Sequence, residues 1–210
     1  MFPSVYVILD AESLTGLELA VAEELTEAGV ELIQYRNKAA SAGALFEHGK
    51  RLAALAASKS AKLILNDRPD VAALCGAGGV HVGQEDLGVE EARAICGRMA
   101  WVGVSTHNLS QFREAISSSA DYLAVGPIFA TSTKKKPDPV VGTDFIREVR
   151  RLTQKPLVAI GGITLENAEQ AWQAGADIVA VARDILSASS PGERARAFLR
   201  LAARIQRSRN

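Results

Sequence analysis

The sequence predicts an α/β protein, a single (βα)8 TIM-type barrel with a C-terminal helix that spans residues 1–210 as one domain. Three observations predict it. Eight short β-branched runs recur along the chain: VYVIL (5–9), ELIQYR (31–36), KLILN (62–66), GVHV (79–82), WVGVS (101–105), YLAVG (122–126), LVAIG (157–161) and IVAVA (178–182). Amphipathic segments separate them, the pattern of βαβ units and a parallel sheet. The runs are nearly continuous in apolar residues, as strands covered on both faces require. No Pro/Gly/Ser-rich linker divides the chain and no residue-level repeat is convincing. An open doubly wound sheet is the architectural rival. Its first turn would be LDAESLTG, which lacks the GxGxxG phosphate fingerprint.

The helices follow from period and end signals. Leu17, Val21, Leu25 and Ala28 predict one buried stripe, closed by Gly29 at a left-handed C-terminal position. About a dozen residues between Asn66 and Gly79 leave room only for a short third helix. Thr143 or Asp144, and Thr164, are the expected N-caps of the sixth and seventh helices. Pro191 opens the last helix, whose apolar stripe is Phe198, Leu201, Ala202 and Ile205.

Composition excludes several function classes. Lys+Arg and Asp+Glu are 24 each, so a sequence-blind nucleic-acid binder, which needs a surplus of cations, is disfavoured. No apolar run is long enough to span a bilayer, and MFPSVYVILD has no secretory n-region or cleavage site. Cys75 and Cys96 sit in helical segments without metal-ligand spacing and read as buried thiols in a reducing cytoplasm. A cytoplasmic enzyme without membrane or nucleic-acid partners is expected. The exposed helix faces carry no long apolar patch, and a homodimer is left open.

In a barrel of this type the loops after the strands build the active face. Polar clusters fall at those ends: Gln34 to Lys38, Asn66-Asp67-Arg68, Gly83 to Asp86, Ser105-Thr106-His107, Gly126 to Lys136, and Gly161-Gly162-Ile163. Asp67 and Asp86 follow neighbouring strands, so their carboxylates can converge, which favours a divalent cation or a raised pKa. Oxygen ligands without a Cys–His set point to Mg²⁺. The plain alternative is that Asp67 pairs with Arg68 or caps a helix and that Asp86 caps the next. Arg36, Lys38 and Lys134 around the same mouth suit a diphosphate. Lys134 follows Thr131-Ser132-Thr133, whose hydroxyls suit phosphate oxygens, and the stretch from Pro127 to Val141 is as long as a lid. Gly161-Gly162 permits close approach of a ligand to the backbone. His81 alternates with Val80 and Val82 and is expected to face the barrel interior; His81 and His107 are equally readable as structural or catalytic. His48 is expected on the surface.

In this order, QYRNK, NDR, GGVHVGQED, GVSTHN, DYLAVGPIFATSTK, AIGGI and GADIVAV resemble the thiamine phosphate synthase family over nearly the whole chain. The resemblance implies a transferase that joins 4-amino-2-methyl-5-hydroxymethylpyrimidine diphosphate to a thiazole phosphate, making thiamine phosphate and pyrophosphate. It implies that Gln34, Arg36, Lys38, Asn66, Ser105 and Lys134 hold the pyrimidine diphosphate, with Arg36, Lys38, Ser105 and Lys134 catalytic. It implies Asp67 and Asp86 as Mg²⁺ ligands, and Thr131, Ser132, Thr133, Gly162, Ala182 and Arg183 on the thiazole phosphate. One stretch departs from the pattern: where the family has valine–serine–alanine, this chain has Val181-Ala182-Arg183-Asp184. Arg183 either replaces a neutral hydrogen bond with a charged one or pairs with Asp184. A related thiazole tautomerase is the nearest rival; its family histidine in the sixth-strand motif is Pro127 here. A non-catalytic barrel that binds thiazole phosphate would have no reason to keep Asp67, Asp86, Arg36, Lys38 and Lys134 together. A barrel isomerase or aldolase would need an acid–base pair or an interior lysine, and no convincing one is present.

Overall fold

The computed structural model describes residues 2–131 and 138–209. Its strands are β1 (Val5–Asp10), β2 (Leu32–Arg36), β3 (Lys62–Asn66), β4 (Gly79–Val82), β5 (Trp101–Thr106), β6 (Tyr122–Val125), β7 (Leu157–Ile160) and β8 (Ile178–Val181). All pair in parallel with their chain neighbours, and β8 returns to β1, so the sheet closes in the order β1 to β8. The helices are α1 (Ala11–Leu14), α2 (Glu18–Glu27), α3 (Ala42–Ser58), α4 (Pro69–Cys75), α5 (Val89–Cys96), α6 (Leu109–Ser117), α7 (Gly142–Arg150), α8 (Ala168–Gln173), α9 (Arg183–Leu186) and α10 (Pro191–Arg209). This is the (βα)8 barrel with a terminal helix that the alternating runs predict. No described helix is long and apolar enough to cross a membrane.

The continuous apolar runs divide by the two-residue period of a strand. Val5, Val7, Leu9, Ile33, Leu65, Val80 and Val102 face outward into the core shared with the helices. Tyr6, Ile8, Leu32, Ile64, Tyr122, Val158 and Ile178 face inward and fill the barrel. The inward rows that continue toward the strand C-termini turn polar: Gln34 and Arg36 follow Leu32, Asn66 follows Ile64, and Ser105 follows Gly103. The same alternation that fills the barrel floor therefore places the polar side chains at its mouth.

Several local expectations change. Leu17 is 59% exposed, because α2 begins only at Glu18 after a turn through Thr15 and Gly16. Val21 and Leu25 keep the buried stripe. Neither Thr143 nor Asp144 caps α7, which starts one residue earlier at Gly142; Asp144 instead pairs with Arg147 at 2.6 Å within the first turn. Thr164 is not a cap of α8 either. Asn167 precedes that helix, accepts the Thr164 N–H at 2.8 Å and donates to the Gly162 carbonyl at 2.9 Å, tying the glycine turn to the helix. In α10, Phe198, Ala202 and Ile205 are buried as the stripe predicts.

Candidate functional site

A cavity of about 310 Å³ opens at the C-terminal end of the barrel. Gln34, Arg36, Asn66 and Ser105 line one side of it, from β2, β3 and β5. Thr131, Gly162, Ala182 and Arg183 line the side formed after β6, β7 and β8. The structure thus brings together these residues expected on the pyrimidine and thiazole sides, each at a strand's C-terminal end or in the segment that follows it. Ser132, Thr133 and Lys134 lie outside the described residues.

The acidic pair and Lys38 stand beside this cavity; they do not line it. Asp67 directly follows Asn66, in the left-handed backbone region at φ 63°, one of the few side chains besides glycine to adopt it. Its N–H donates to the His81 carbonyl at 2.8 Å, carrying the β3–β4 ladder one residue past the strand. Asp86 closes its own loop by accepting the Gly83 N–H at 2.7 Å. Burial pushes the Asp86 carboxyl above the usual carboxylate range, and the Asp67 carboxylate against it pushes it further. The two acids have therefore converged. Lys38 Nζ lies 3.0 Å from Asp67 Oδ2, so the cation of the β2 loop already compensates part of their charge. The alternative for Asp67, pairing with Arg68, is overturned: Arg68 is bound in bidentate fashion by Asp70 at 2.8 and 2.6 Å.

Arg36 does not stand alone. Its Nη1 donates to Asp10 Oδ1 at 2.7 Å, and Asp10 is only 3% exposed. The two residues occupy partnered positions in the β1–β2 ladder. A planar guanidinium held at one edge by a buried carboxylate keeps its other N–H groups in a fixed plane for an anionic ligand. Sequence reasoning missed Asp10. The signal was present, an acid at a strand C-terminus like the other clusters, but the partner lies 26 residues away.

Gln34 and His81 point into the barrel and belong to a buried polar chain. Gln34 Nε2 donates to Tyr6 Oη at 2.8 Å, and Tyr6 Oη lies 3.1 Å from Tyr122 Oη. Tyr122 Oη is 3.1 Å from His81 Nδ1, and His81 Nε2 is 2.8 Å from Ser105 Oγ. The two tyrosines also went unnoticed in the sequence, because a lone Tyr in an apolar strand is indistinguishable from core. His107 takes a different place: its Nδ1 is 2.6 Å from the Gly126 carbonyl, and its Nε2 lies 3.6 Å from Asp138 across the cavity wall. His48 is exposed, as expected, and bonds the Tyr35 hydroxyl at 3.0 Å.

On the β8 side, Asp184 is held by Arg194 at 2.8 and 2.9 Å and accepts the Leu165 N–H at 3.2 Å. Of the two readings of Arg183, pairing with Asp184 therefore gives way to a position on the cavity wall. Gly162 has φ +65°, and a Cβ there would collide with the Ala130 carbonyl oxygen and lie 2.7 Å from that of Phe129. Only a glycine lets the β7 loop pack on the β6 loop this closely. The two cysteines are free thiols; Cys75 is buried as expected, whereas Cys96 is only half-buried at the end of α5.

Comparison with known proteins agrees with this fold. The family model described as thiamine monophosphate synthase matches residues 5–185. A thiamine-phosphate synthase of Koribacter versatilis is 49% identical over 205 residues, covering 95% of each chain. One from Shouchella clausii is 42% identical over 184 residues, covering 87% of this chain and 88% of its own. Among solved structures, a thiamine phosphate pyrophosphorylase from Pyrococcus furiosus superposes with a TM-score of 0.87 at 31% identity, covering 96% of both chains.

Proposed function

The chain belongs to the thiamine monophosphate synthase family, and from that premise we propose that it transfers a pyrimidine-methyl group from its diphosphate to a thiazole phosphate. The products are thiamine phosphate and pyrophosphate. The observation that carries the reading is the cavity itself: a cationic and amide-bearing wall at Gln34, Arg36 and Asn66 faces a second wall at Thr131, Gly162 and Arg183. Two anionic substrates with their reacting ends between them need that arrangement. A tautomerase would need only one of the two walls.

Asp67 and Asp86 fit a hard divalent cation. Both donors are oxygens, and the Asp86 carboxyl, raised first by burial and then by Asp67 against it, carries a charge that a cation would offset. Among the described residues no group of three or more His, Cys, Asp or Glu could hold a metal. The protein would therefore contribute two carboxylates, with substrate oxygens and water completing the shell, which is the habit of Mg²⁺. When bound, Mg²⁺ supplies Lewis-acid stabilisation of the departing pyrophosphate.

The chain's own residues account for the rest. Arg36, fixed by Asp10, and Lys38, next to Asp67, are set to neutralise charge that grows on the leaving group. Lys134 joins them in this reading. Gln34, Asn66 and Ser105 orient the pyrimidine diphosphate, so that the bond to the leaving oxygen ionises to a cation delocalised over the aminopyrimidine. Thr131, Ser132, Thr133, Gly162, Ala182 and Arg183 hold the thiazole phosphate so that the ring nitrogen attacks that carbon. Such a dissociative course needs no protein nucleophile, and holding two reactants in register supplies much of the acceleration. The enzyme is taken to work in the cytoplasm on these small molecules.

The test is direct. Purified protein with pyrimidine diphosphate, thiazole phosphate and Mg²⁺ should form thiamine phosphate and pyrophosphate in equal amounts. Absence of product with verified substrates would sink the assignment.

A further inference from the structure

The buried chain Gln34–Tyr6–Tyr122–His81–Ser105 has a direction, and the direction can be counted out proton by proton. An amide nitrogen only donates, so Gln34 Nε2 gives a proton to Tyr6 Oη. Tyr6 Oη has one other side-chain partner, Tyr122 Oη, and is 1% exposed. Its own proton therefore goes to Tyr122. Tyr122, fully buried, then accepts from Tyr6 and, among the described residues, has only His81 Nδ1 to which it can donate. His81 Nδ1 is thereby an acceptor, and the ring proton sits on Nε2, 2.8 Å from Ser105 Oγ. The opposite tautomer, or a doubly protonated ring, would strand a phenol proton in the barrel with no acceptor. Burial raises both phenols above the ordinary tyrosine value, which keeps each of them a protonated donor.

The backbone is cut to let this chain form. Gly103 is the ladder partner of both His81 and Tyr122. A Cβ at Gly103 would collide with the Tyr122 ring, so only glycine lets the phenol cross β5 to reach the imidazole. The two rings then stack at 5.6 Å between centroids with 25° between planes.

We propose that Tyr6, Tyr122 and His81 are positioning residues that fix Ser105 as a hydrogen-bond donor into the cavity. With one Ser105 lone pair taken by the His81 N–H, the hydroxyl proton is left to face the ligand. That proton is then available to a substrate acceptor, a phosphate oxygen or an unprotonated ring nitrogen. This inference rests on the reading of Ser105 as a substrate contact, but its first test does not.

Nitrogen-15 spectra of the substrate-free protein, with His81 assigned by comparison with His81→Gln, report the tautomer directly. A pyridine-type Nδ1 and a pyrrole-type Nε2 are expected; the reverse pattern, or two pyrrole-type nitrogens, overturns the proposal whatever the enzyme catalyses. Kinetics supply the second test. Tyr122→Phe removes the proton that holds the tautomer and should lower kcat/KM about tenfold, the worth of roughly one hydrogen bond. In a Ser105→Ala background the same change should cost less than about twofold. An equal loss in both backgrounds would mean that Tyr122 acts by packing alone. His81→Gln, which keeps an amide donor near the Nε2 position, should retain more activity than His81→Leu.

Discussion

Asp86 illustrates how a single residue can be destabilising and useful at once. Burial and the neighbouring Asp67 raise its pKa above the ordinary carboxylate value. The folded protein thus binds that proton more tightly than the unfolded chain, and stability falls as pH rises from the ordinary value through the raised one. At neutral pH the deficit is fully present. Asp86→Asn should therefore melt no lower than the parent at pH 7, with any advantage shrinking as pH is lowered through the carboxylate range. Its Mg²⁺-dependent turnover should drop by at least about 10–100-fold, the cost seen even for groups one step removed from a metal. A variant with parental turnover would remove Asp86 from the metal site. In the proposed function Asp10 acts on the reaction through Arg36. Asp10→Asn should lower kcat/KM for the pyrimidine diphosphate by about 10²-fold, the scale of a 1 Å misplacement, and should leave the thiazole phosphate KM within a small factor. A loss falling equally on both substrates would assign Asp10 to general stability. Asp67, Asp86 and Arg36 were legible in the sequence because each sits in a cluster of unusual residues. Asp10, Tyr6 and Tyr122 were not, because their partners are set by strand register.

At the level of elements, the loops after β6 and β7 behave as one unit. The β7 glycines give the turn its left-handed backbone, the Phe129 N–H donates to the Gly161 carbonyl at 3.0 Å, and Asn167 anchors Gly162 to the start of α8. Gly162→Ala would force the two loops apart. Thiazole phosphate KM should rise at least tenfold, since both walls of its pocket move, while Mg²⁺ activation stays near that of the parent, because β3 and β4 carry the acids. Steady-state titration of each ligand separates the two. The Gly-Gly pair read in the sequence as room for a ligand to approach the backbone; the collision it avoids involves carbonyls from a different loop. Helix starts were the least legible local feature. A threonine or an aspartate near a helix start is a cap only if the chain turns there, and at α7 and α8 it turns one residue earlier or three later.

Across the whole molecule, closure joins the ends of the chain. β8 pairs with β1, and α10 lies against α2 and β1. Glu24 in α2 accepts the Gly192 N–H at 2.8 Å and the Ser190 hydroxyl at 2.9 Å, so an acid from one end of the sequence satisfies the N-terminus of the last helix. Glu24→Ala should lower the unfolding free energy by about 1 kcal/mol, as loss of a helix cap does. It should leave kcat unchanged, because the contact lies outside the cavity lining. Denaturant unfolding and steady-state assay together check both halves.

The sequence by itself determined the barrel and the residues that ring its mouth. Nearly continuous apolar strands separated by amphipathic helices bury both faces in a parallel sheet, and polar residues at strand ends can satisfy themselves only at the open face. It also marked Asp67 and Asp86 as a pair, since neighbouring parallel strands end side by side. Tertiary structure decided what lies behind those residues: which carboxylate holds Arg36, that Arg194 and not Arg183 takes Asp184, and how a phenol passes a glycine to orient a histidine. These depend on ladder register and on close approach between strands far apart in the chain. Register is the sum of many weak packing preferences across the barrel, and no local pattern in the sequence carries it.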